Sequence, residues 1–298
     1  MFKQTTIIGF GLIGSSIARA MIEKKLTETI VCVDQTEEVC NHVLALGIAD
    51  DATTDVSIGV TGSDLIILST PVGTIEHIAP LMTGHLQKDA IITDVGSVKG
   101  RVIEMLQPHL PPYVHLVPAH PISGAEKSGP DAGFAELFMS RWCILTPLPE
   151  TELQAIEKIT KLWEGMGSTV EIMGADHHDL ILGLTSHLPH LIAYSVVGTA
   201  TDLEDDIKSE VIKFSAGGFR DFTRIAASDP VMWRDVFLNN KSAVLEVLQR
   251  FTEDLTALQK AIRKGDGEYL YRQFTETRDI RRAIVDAGQA EYLTPLDE

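Results

Sequence analysis

A glycine-rich loop near the N-terminus limits the folds open to this chain more than any other feature. Gly9, Gly11 and Gly14 form a G-x-G-x-x-G pattern between an apolar run and a helical pattern, and Asp34 lies 20 residues after Gly14. Such glycines permit a tight turn, a close approach to a pyrophosphate and close helix packing, and the helix N-terminus offers free N–H groups to the anion. The loop therefore predicts a dinucleotide-binding domain. A carboxylate at Asp34 favours NAD over NADP because it would repel a 2′-phosphate.

The spacing of apolar residues divides the chain into two parts. Short β-branched runs alternate with helical patterns up to residue 173, which is typical of βαβ units around a doubly wound parallel sheet. From residue 175 onward apolar residues recur at three- and four-residue intervals, and no strand is predicted. We therefore expect an α/β fold, with a Rossmann-type domain over residues 1–173 and an all-helical domain over residues 174–298. The expected strands are 5–9, 29–33, 64–69, 90–94, 115–117, 142–146 and 168–172, and the expected helices of the second domain are 180–200, 231–262 and 269–284.

The apolar segment 180–200 is long enough to cross a bilayer, but His187, Pro189 and His190 lie in its middle. A helix that is apolar on nearly every side must be surrounded, either by its own domain or by a second copy of the chain. We therefore expect a buried helix rather than a membrane span, and a homodimer assembled through the helical domain.

Composition excludes several classes of partner. The chain has 25 Lys and Arg against 42 Asp and Glu, a formal net charge of −17 at pH 7. Most of its surface would repel a phosphate backbone or an anionic membrane, so neither nucleic acid nor a membrane is an expected partner. The three cysteines show no C-x-x-C spacing, which indicates neither a disulfide framework nor a zinc site and favours a cytoplasmic protein.

Polar residues follow three predicted strands, at 69–72, 93–99 and 120–126, on the sheet edge where ligands bind. His120 has the chemistry of a general base that takes a proton from a substrate hydroxyl, and Ser97 is placed to orient it. A structural loop histidine is the alternative. Lys99 is expected to be a solvated or phosphate-facing charge. The candidate cofactor-binding residues are Gly9, Phe10, Gly11, Leu12, Ile13, Gly14, Asp34, Ser69, Thr70, Pro71 and Ser97.

Two pairs of side chains in the helical domain are candidates for ligand binding. His187 and His190 are three residues apart, a spacing that fits a metal site or two core or helix-cap histidines; without a third ligand at a recognisable spacing we predict no metal. Arg220 and Arg224 are four residues apart and can project together to bind carboxylates. They predict a small anionic substrate, unless they pair with Asp221 or other acids of the chain.

Five motifs, in order along the chain, resemble those of the prephenate and arogenate (cyclohexadienyl) dehydrogenases of tyrosine biosynthesis. They are GFGLIG at 9–14, DVGSVK at 94–99, His-Pro with Gly124 and Glu126 at 120–126, SHLPH at 186–190, and GGFRDFTR at 217–224. Nearly the whole chain is covered by the resemblance. It implies an enzyme that carries out NAD-dependent oxidative decarboxylation of prephenate, of arogenate or of both.

The resemblance also implies roles for individual residues. His120 would be the catalytic base and Ser97 its partner near the nicotinamide. Arg224 would bind the ring carboxylate of the substrate. Further substrate-binding positions would be His190, Arg220 and Trp233. The helical domain of this family forms a homodimer, in agreement with the apolar central helix.

Two positions depart from the family pattern. Ala125 stands where the family often has Ser or Thr, and Arg220 stands where it often has Lys. Both changes alter contacts to the substrate side chain, which distinguishes a keto acid from an amino acid. We expect that prephenate is used, that arogenate is at least a secondary substrate, and that discrimination between them is weak.

Two other functions compete with this interpretation. A dehydrogenase of another small hydroxy acid commonly carries a catalytic lysine on a helix of its second domain, but segment 180–200 contains no lysine. A non-catalytic NAD-binding sensor would not need His120, Ser97 and Arg224 together.

Overall fold

The computed structural model describes residues 1–124, 127–201 and 217–286. The chain forms two compact units, Met1–Val244 and Leu245–Glu298. The division falls inside one long helix of the second half. The domain boundary expected at residue 173 stays a prediction.

A six-stranded parallel sheet forms the centre of the first unit. Its strands, numbered along the chain, lie in the order β3-β2-β1-β4-β5-β6 and are all parallel. The order in which strands are added to the sheet therefore changes direction between β1 and β4. In such sheets the ligand site lies outside the carboxyl ends of the strands at this switch point. The doubly wound sheet is therefore confirmed. The strands are β1 Phe2–Ile8, β2 Thr27–Val33, β3 Asp51–Thr53, β4 Leu65–Leu68, β5 Ile91–Asp94 and β6 His115–Leu116.

Helices cover both faces of this sheet. Consecutive strand residues Ile7 and Ile8 point into two separate apolar cores, because side chains alternate across a strand. One core contains Trp163, which is fully buried, and the other contains Met82. The helices of this half are α1 Leu12–Glu23, α2 Glu37–Ala45, α3 Val56–Val60, α4 Ile75–Met82, α5 Gly100–Leu106 and α6 Leu153–Gly165.

A second, three-stranded sheet was not predicted. It consists of β7 Ala119–Pro121, β8 Trp142–Leu145 and β9 Thr169–Ile172, with β7 antiparallel and β9 parallel to β8. The runs at β8 and β9 were expected to belong to the doubly wound domain, and His120 was expected in a loop. His120 instead lies on β7, paired with Ile144. Three residues are too few to show a period of two, so the pattern could not reveal this strand.

The described residues beyond 174 contain helices and their connections but no strand, as predicted. They are α7 Ala175–Leu182, a π-helical turn Gly183–His187, α8 Leu188–Thr201, α9 Gly217–Thr223, α10 Pro230–Asn239, α11 Lys241–Lys264 and α12 Gly267–Asp286.

Two of the expected helices are interrupted. Segment 180–200 contains the π-helical turn, in which the N–H of Leu188 bonds to the carbonyl of Gly183. Pro189 has no N–H and its ring clashes with the carbonyl four residues earlier, so a wider turn replaces the α-helical one there. Segment 231–262 breaks at Asn240, whose side chain makes hydrogen bonds to Asp179 and His187. These tertiary bonds outweigh the continuous helical pattern.

The helical stretch Ala175–Ala200 contains an 18-residue window, with a mean hydropathy of 1.5, that could cross a membrane by length and composition. Core helices of other proteins meet the same test. Within the described residues, 28% of that window is buried.

The close packing of the glycine loop gives a test of the fold. A methyl group on Gly14 would lie 2.1 Å from the carbonyl oxygen of Gly9, whereas one on Gly11 would meet nothing within 4 Å. We expect Gly14→Ala to lower the free energy of unfolding by about 1–3 kcal/mol, because the loop must shift. Gly11→Ala, the matched control, should cost less than about 1 kcal/mol. Urea unfolding measures both, and equal losses would contradict this packing.

Candidate active site

The glycine loop has the shape that a dinucleotide needs. Gly9 has φ +95°, and a side chain on it would lie 2.6 Å from the carbonyl oxygen of Ser69. Gly11, by contrast, borders open space. The loop is thus closed towards the protein at Gly9 and Gly14 and open at Gly11, where a pyrophosphate can approach the backbone.

Asp34 lies where β2 ends, beside this loop. Its carboxylate accepts hydrogen bonds from the backbone N–H of Phe10 (2.9 Å) and of Gln35 (2.7 Å). Each oxygen keeps a further lone pair that can accept from a hydroxyl group. The carboxylate is therefore held in place and remains able to bind a ribose.

The segment after β4 carries two unsatisfied hydroxyl groups. Ser69 Oγ and Thr70 Oγ1 are buried, and neither has a hydrogen-bond partner in the described part of the chain. Pro71 follows and precedes a short 3₁₀ turn, Val72–Thr74. Buried hydroxyls without partners are costly, so a bound ligand is the natural source of those bonds. Leu12 and Ile13 begin α1 next to them.

His120 begins a chain of three hydrogen-bonded side chains. Its Nδ1 lies 2.8 Å from Nε2 of His178, and Nδ1 of His178 lies 2.8 Å from Oδ1 of Asp179. Asp179 in turn accepts backbone N–H groups of Lys99 (2.8 Å) and Gly100 (2.9 Å) at the start of α5. The chain crosses from β7 to α7 and ends on α5.

These hydrogen bonds assign the proton positions. Because the carboxylate of Asp179 accepts, Nδ1 of His178 carries the proton and its Nε2 is an acceptor. Nδ1 of His120 must then be the donor, which leaves a lone pair on its Nε2. His120 is therefore held in the tautomer that a general base requires.

The surroundings of these three side chains favour neutral imidazoles for His120 and His178 and an ionised carboxylate for Asp179. Burial lowers the pKa of His120 well below its ordinary value, and its interactions with His178, Lys99 and His187 lower it further. Burial also lowers the pKa of His178, against its hydrogen bond to Asp179. For Asp179 burial would raise the pKa, but the bonds from His178 and the α5 backbone outweigh it and the pKa is lowered.

Lys99 is not the solvated charge that the sequence analysis expected. Its side chain is fully buried and forms an ion pair with Asp94, which is also fully buried. Its Nζ donates a further hydrogen bond of 2.7 Å to the carbonyl oxygen of Ala119. The carboxylate of Asp94 and the carbonyl of Ala119 take the place of water around its ammonium group. The position of Lys99 at the start of a helix did not indicate this environment.

Ser97 lies between Asp94 and Lys99 and is half-buried. Within the described residues it makes no hydrogen bond to His120, whose Nδ1 is bonded to His178 instead. Ser97 is followed by Val98, which packs against Trp233 and Val236 of α10. The loop after β5 therefore contacts the element that carries one of the expected substrate-binding residues.

His190 and Trp233 form a flat, stacked pair. Their ring centroids are 3.6 Å apart, and Nδ1 of His190 donates to the carbonyl oxygen of Ser186 (2.9 Å). Burial lowers the pKa of His190, and the nearby charge of Arg224 also lowers it. The structure thus brings His190, Trp233 and Arg224 close together, and their role in substrate binding stays a prediction.

The H-x-x-H pair is divided between two environments. His187 is fully buried and its Nδ1 lies 3.0 Å from Nδ2 of Asn240, which also donates to the carbonyl oxygen of Asp179 (2.8 Å). His190 faces Trp233 instead. Among the described residues no group of three or more His, Cys, Asp or Glu is arranged to hold a metal ion.

Arg220 lies apart from this cluster. It is on α9 with its side chain 76% exposed, and its Nε lies 3.8 Å from Oδ1 of the equally exposed Asp221. An exposed pair of this kind contributes little to stability, so the guanidinium can exchange Asp221 for another anion at small cost. Ala125 and Glu126, on which other expectations rest, lie outside the described residues.

Sequence reasoning missed His178, Asp179, Asp94 and Asn240. The signal for the first two was present, because His178 and Asp179 precede the apolar segment as adjacent polar residues of one helix. What joins them to His120 is a contact across 58 residues of chain, which no local pattern reports.

The burial of His187 makes the stability of the protein depend on pH. Burial lowers its pKa to about 4, so between pH 6.5 and pH 4 the unfolded chain binds a proton that the folded protein does not. Stability from this group is therefore present above pH 6.5 and lost as the pH falls. His187→Asn should reduce the slope of unfolding free energy against pH in this window by up to about 1.4 kcal/mol per pH unit. Urea unfolding at several pH values measures the slope, with the exposed His77→Asn as control; an unchanged slope would contradict the buried neutral histidine.

Comparisons with known proteins agree with this geometry. The family model for the nucleotide-binding domain of prephenate dehydrogenase matches residues 17–172, and that for its dimerization domain matches residues 174–276. A cyclohexadienyl dehydrogenase of Zymomonas mobilis is 45% identical, over 95% of this chain and 97% of its own length. A prephenate dehydrogenase of Bacillus subtilis is 34% identical, over 95% and 76%.

Solved structures give the same result. The crystal structure of prephenate dehydrogenase from Aquifex aeolicus, in complex with hydroxyphenyl propionate and NAD+, has a TM-score of 0.88 and 34% identity and covers 95% of this chain and 99% of its own. A 3-hydroxyisobutyrate dehydrogenase from Salmonella typhimurium, with a TM-score of 0.55 and 13% identity over 84% and 88%, shares the fold alone. The two family models together span most of the chain, and they agree with the parallel sheet and the helical second half. The chain belongs to the prephenate dehydrogenase family.

Proposed function

We propose that this protein carries out the NAD-dependent oxidative decarboxylation of prephenate, of arogenate or of both. The observation that carries the proposal is His120, whose Nε2 lone pair is set by the His178–Asp179 chain beyond the sheet edge. The cyclohexadienyl dehydrogenase relative and the Aquifex complex with NAD+ and hydroxyphenyl propionate support it.

The described residues fit a nicotinamide dinucleotide. The open space at Gly11 suits the pyrophosphate, and the Asp34 carboxylate suits the ribose hydroxyls. The unpartnered hydroxyls of Ser69 and Thr70 are placed to bind the part of the cofactor that passes the end of β4. Ser97, on the next loop, would lie near the nicotinamide. When bound, NAD+ supplies the hydride acceptor.

His120 acts on the C4 hydroxyl of the substrate ring. Its Nε2 accepts the hydroxyl proton as C4 gives up its hydride, and the ring loses CO₂ and becomes aromatic. Because aromatisation drives the reaction, the protein contributes mainly orientation and proton removal, worth up to about 7–11 kcal/mol and about 10²–10⁴-fold. The lowered pKa of His120 keeps the base unprotonated in the free enzyme.

The substrate is anionic, and the positive groups lie on the helical side of the site. Arg224 would bind the ring carboxylate, whose charge disappears as CO₂ leaves. The stacked pair of His190 and Trp233 offers a flat surface to the ring. Arg220, with its exposed guanidinium, is suited to the side-chain carboxylate that both substrates share. Ala125 lacks a hydroxyl that would distinguish the keto from the amino group, which supports weak discrimination between the substrates.

The same observations weigh against the competing functions. A hydroxy-acid dehydrogenase shares this fold, but its likeness extends to the fold alone. A binding protein without catalysis would not require a base whose tautomer is fixed by two further side chains.

We also propose a cytoplasmic homodimer with a helical domain that starts at residue 174. The dimerization-domain model begins at that residue, and the apolar window within Ala175–Ala200, of which 28% is buried, supports burial by a second chain. Three buried free cysteines, Cys32, Cys40 and Cys143, fit a reducing compartment.

Steady-state kinetics with both substrates and both cofactors test the function. The unaltered enzyme should form NADH with prephenate, and it should form NADH with arogenate equally well or more slowly.

His120→Asn should lower kcat by at least about 10²-fold while leaving NAD affinity unchanged, because it removes the base and not the glycine loop. Near-normal turnover would exclude His120 as the base, and no NADH with either substrate would reject the function. A preference above about 10⁴-fold for one substrate would reject the argument from Ala125.

The choice of cofactor depends on Asp34. Asp34→Ala should lower the ratio of kcat/KM for NAD over NADP by at least about tenfold, as expected for the loss of a charged hydrogen bond worth about 1.5–3 kcal/mol. Asp34→Asn, which keeps an acceptor for the N–H of Phe10, is the matched control for loop geometry. Equal use of both cofactors by the unaltered enzyme would disprove this role.

A further inference from the structure

The side chain of Lys99 holds the backbone that carries the base. Its Nζ donates to Asp94 and to the carbonyl oxygen of Ala119 (2.7 Å), and Oδ1 of Asp94 accepts the N–H of Ala119 (3.2 Å). The buried ion pair therefore binds both backbone polar groups of the residue before His120. Both charged side chains are fully buried, so water cannot replace either bond.

The main chain of the same residue holds the other end of the histidine chain. The backbone N–H of Lys99 donates to Oδ1 of Asp179 (2.8 Å), the same oxygen that His178 contacts. The next N–H, of Gly100, donates to Oδ2 (2.9 Å). Lys99 thus bonds directly to Asp179 at one end of the chain and to the residue before His120 at the other, and it makes no hydrogen bond to either imidazole ring.

We propose that Lys99 is a positioning residue for the base: its side chain fixes the strand of His120, its backbone fixes Asp179, and its charge disfavours a second positive charge on His120. The inference rests on the proposed function for the reaction that it serves, but the arrangement itself stands on the contacts above. Lys99 does not touch the reacting atoms and is not a catalytic residue.

The charge effect follows from what surrounds these groups. The titratable and charged groups that face Lys99 or His120 are Asp94 on β5, Cys143 on β8, His178 and Asp179 on α7, and His187 on the π-helical turn. Asp94 accepts hydrogen bonds from Lys99 and from two backbone N–H groups. Burial lowers the pKa of Lys99, and the charge and hydrogen bond of Asp94 oppose this lowering. The ammonium lowers the pKa of His120 and of His178, in addition to the larger effect of burial.

A neutral replacement of the ion pair tests this role. Lys99→Met alone would leave a buried unpaired carboxylate, which is strongly destabilising, so the double variant Lys99→Met/Asp94→Asn is the better probe. We expect kcat to fall by about 10- to 100-fold with KM for NAD unchanged, because His120 loses its fixed position. The acidic limb of the kcat/KM profile should move to higher pH, because the ammonium that lowers the pKa of His120 is gone. Thr146→Val is the control, since it alters a buried hydroxyl without a partner and removes no charge.

A folded double variant with normal kcat and an unchanged pH profile would overturn the proposal. A purely structural lysine would change the midpoint of unfolding and not the titration of His120.

Imidazole ¹⁵N NMR of the unaltered protein is a second test that needs no variant. It should show His120 neutral and protonated on Nδ1 at about pH 6, below the ordinary histidine pKa of about 6.5. A charged ring, or a proton on Nε2, would overturn the proposal even if the double variant does not fold. If neither substrate reacts, the proposed function fails, while the NMR titration of His120 with and without Lys99 still decides this inference.

Discussion

The burial of Lys99 and Asp94 is the constraint on which the site depends. Two charges removed from water are tolerated only when they are paired and their remaining hydrogen-bonding groups are satisfied, and loss of one partner costs about 3–5 kcal/mol. Here those partners lie on the end of β5 and on Ala119 of β7. The ion pair therefore holds the small second sheet against the carboxyl edge of the large one. The position of His120 is a consequence of how the core satisfies these charges.

The helical segments after residue 174 complete the site through specific contacts and not through general apolar packing. Asp179 accepts the first N–H groups of α5, and Asn240 binds the carbonyl of Asp179. Trp233 packs against Val98, one residue before Lys99. Within the unit Met1–Val244, the proposed base and Trp233, one of the expected substrate-binding residues, thus both depend on the short loop after β5. A shift of that loop would move both, which is why catalysis in such a site tolerates little displacement.

How much of this could be predicted depends on the range of the interaction. The glycine loop and Asp34 were predictable because the turn, the helix start and the strand end impose a fixed local spacing. The helices after residue 174 were predictable from their apolar period, but the break at Asn240 and the π-helical turn were not, since tertiary hydrogen bonds and Pro189 decide them. The environment of Lys99 could not be predicted either. A lysine at the start of a helix is usually solvated, and only the fold brings Ala119 to its ammonium.

A protein of net charge −17 that binds an anionic cofactor and an anionic substrate must attract them with positive groups and N–H donors close to the site. At physiological ionic strength exposed charges are screened beyond about 8 Å, so most of the acidic surface has little effect inside the site. Within that distance the balance differs: the free N–H groups of α1 face the glycine loop, and the charge of Arg224 is close enough to lower the pKa of His190. Lys99 is buried and bonded to Asp94 and to the carbonyl oxygen of Ala119, so its ammonium is not available to bind the substrate. Anion binding and the positioning of the base are therefore assigned to different cations.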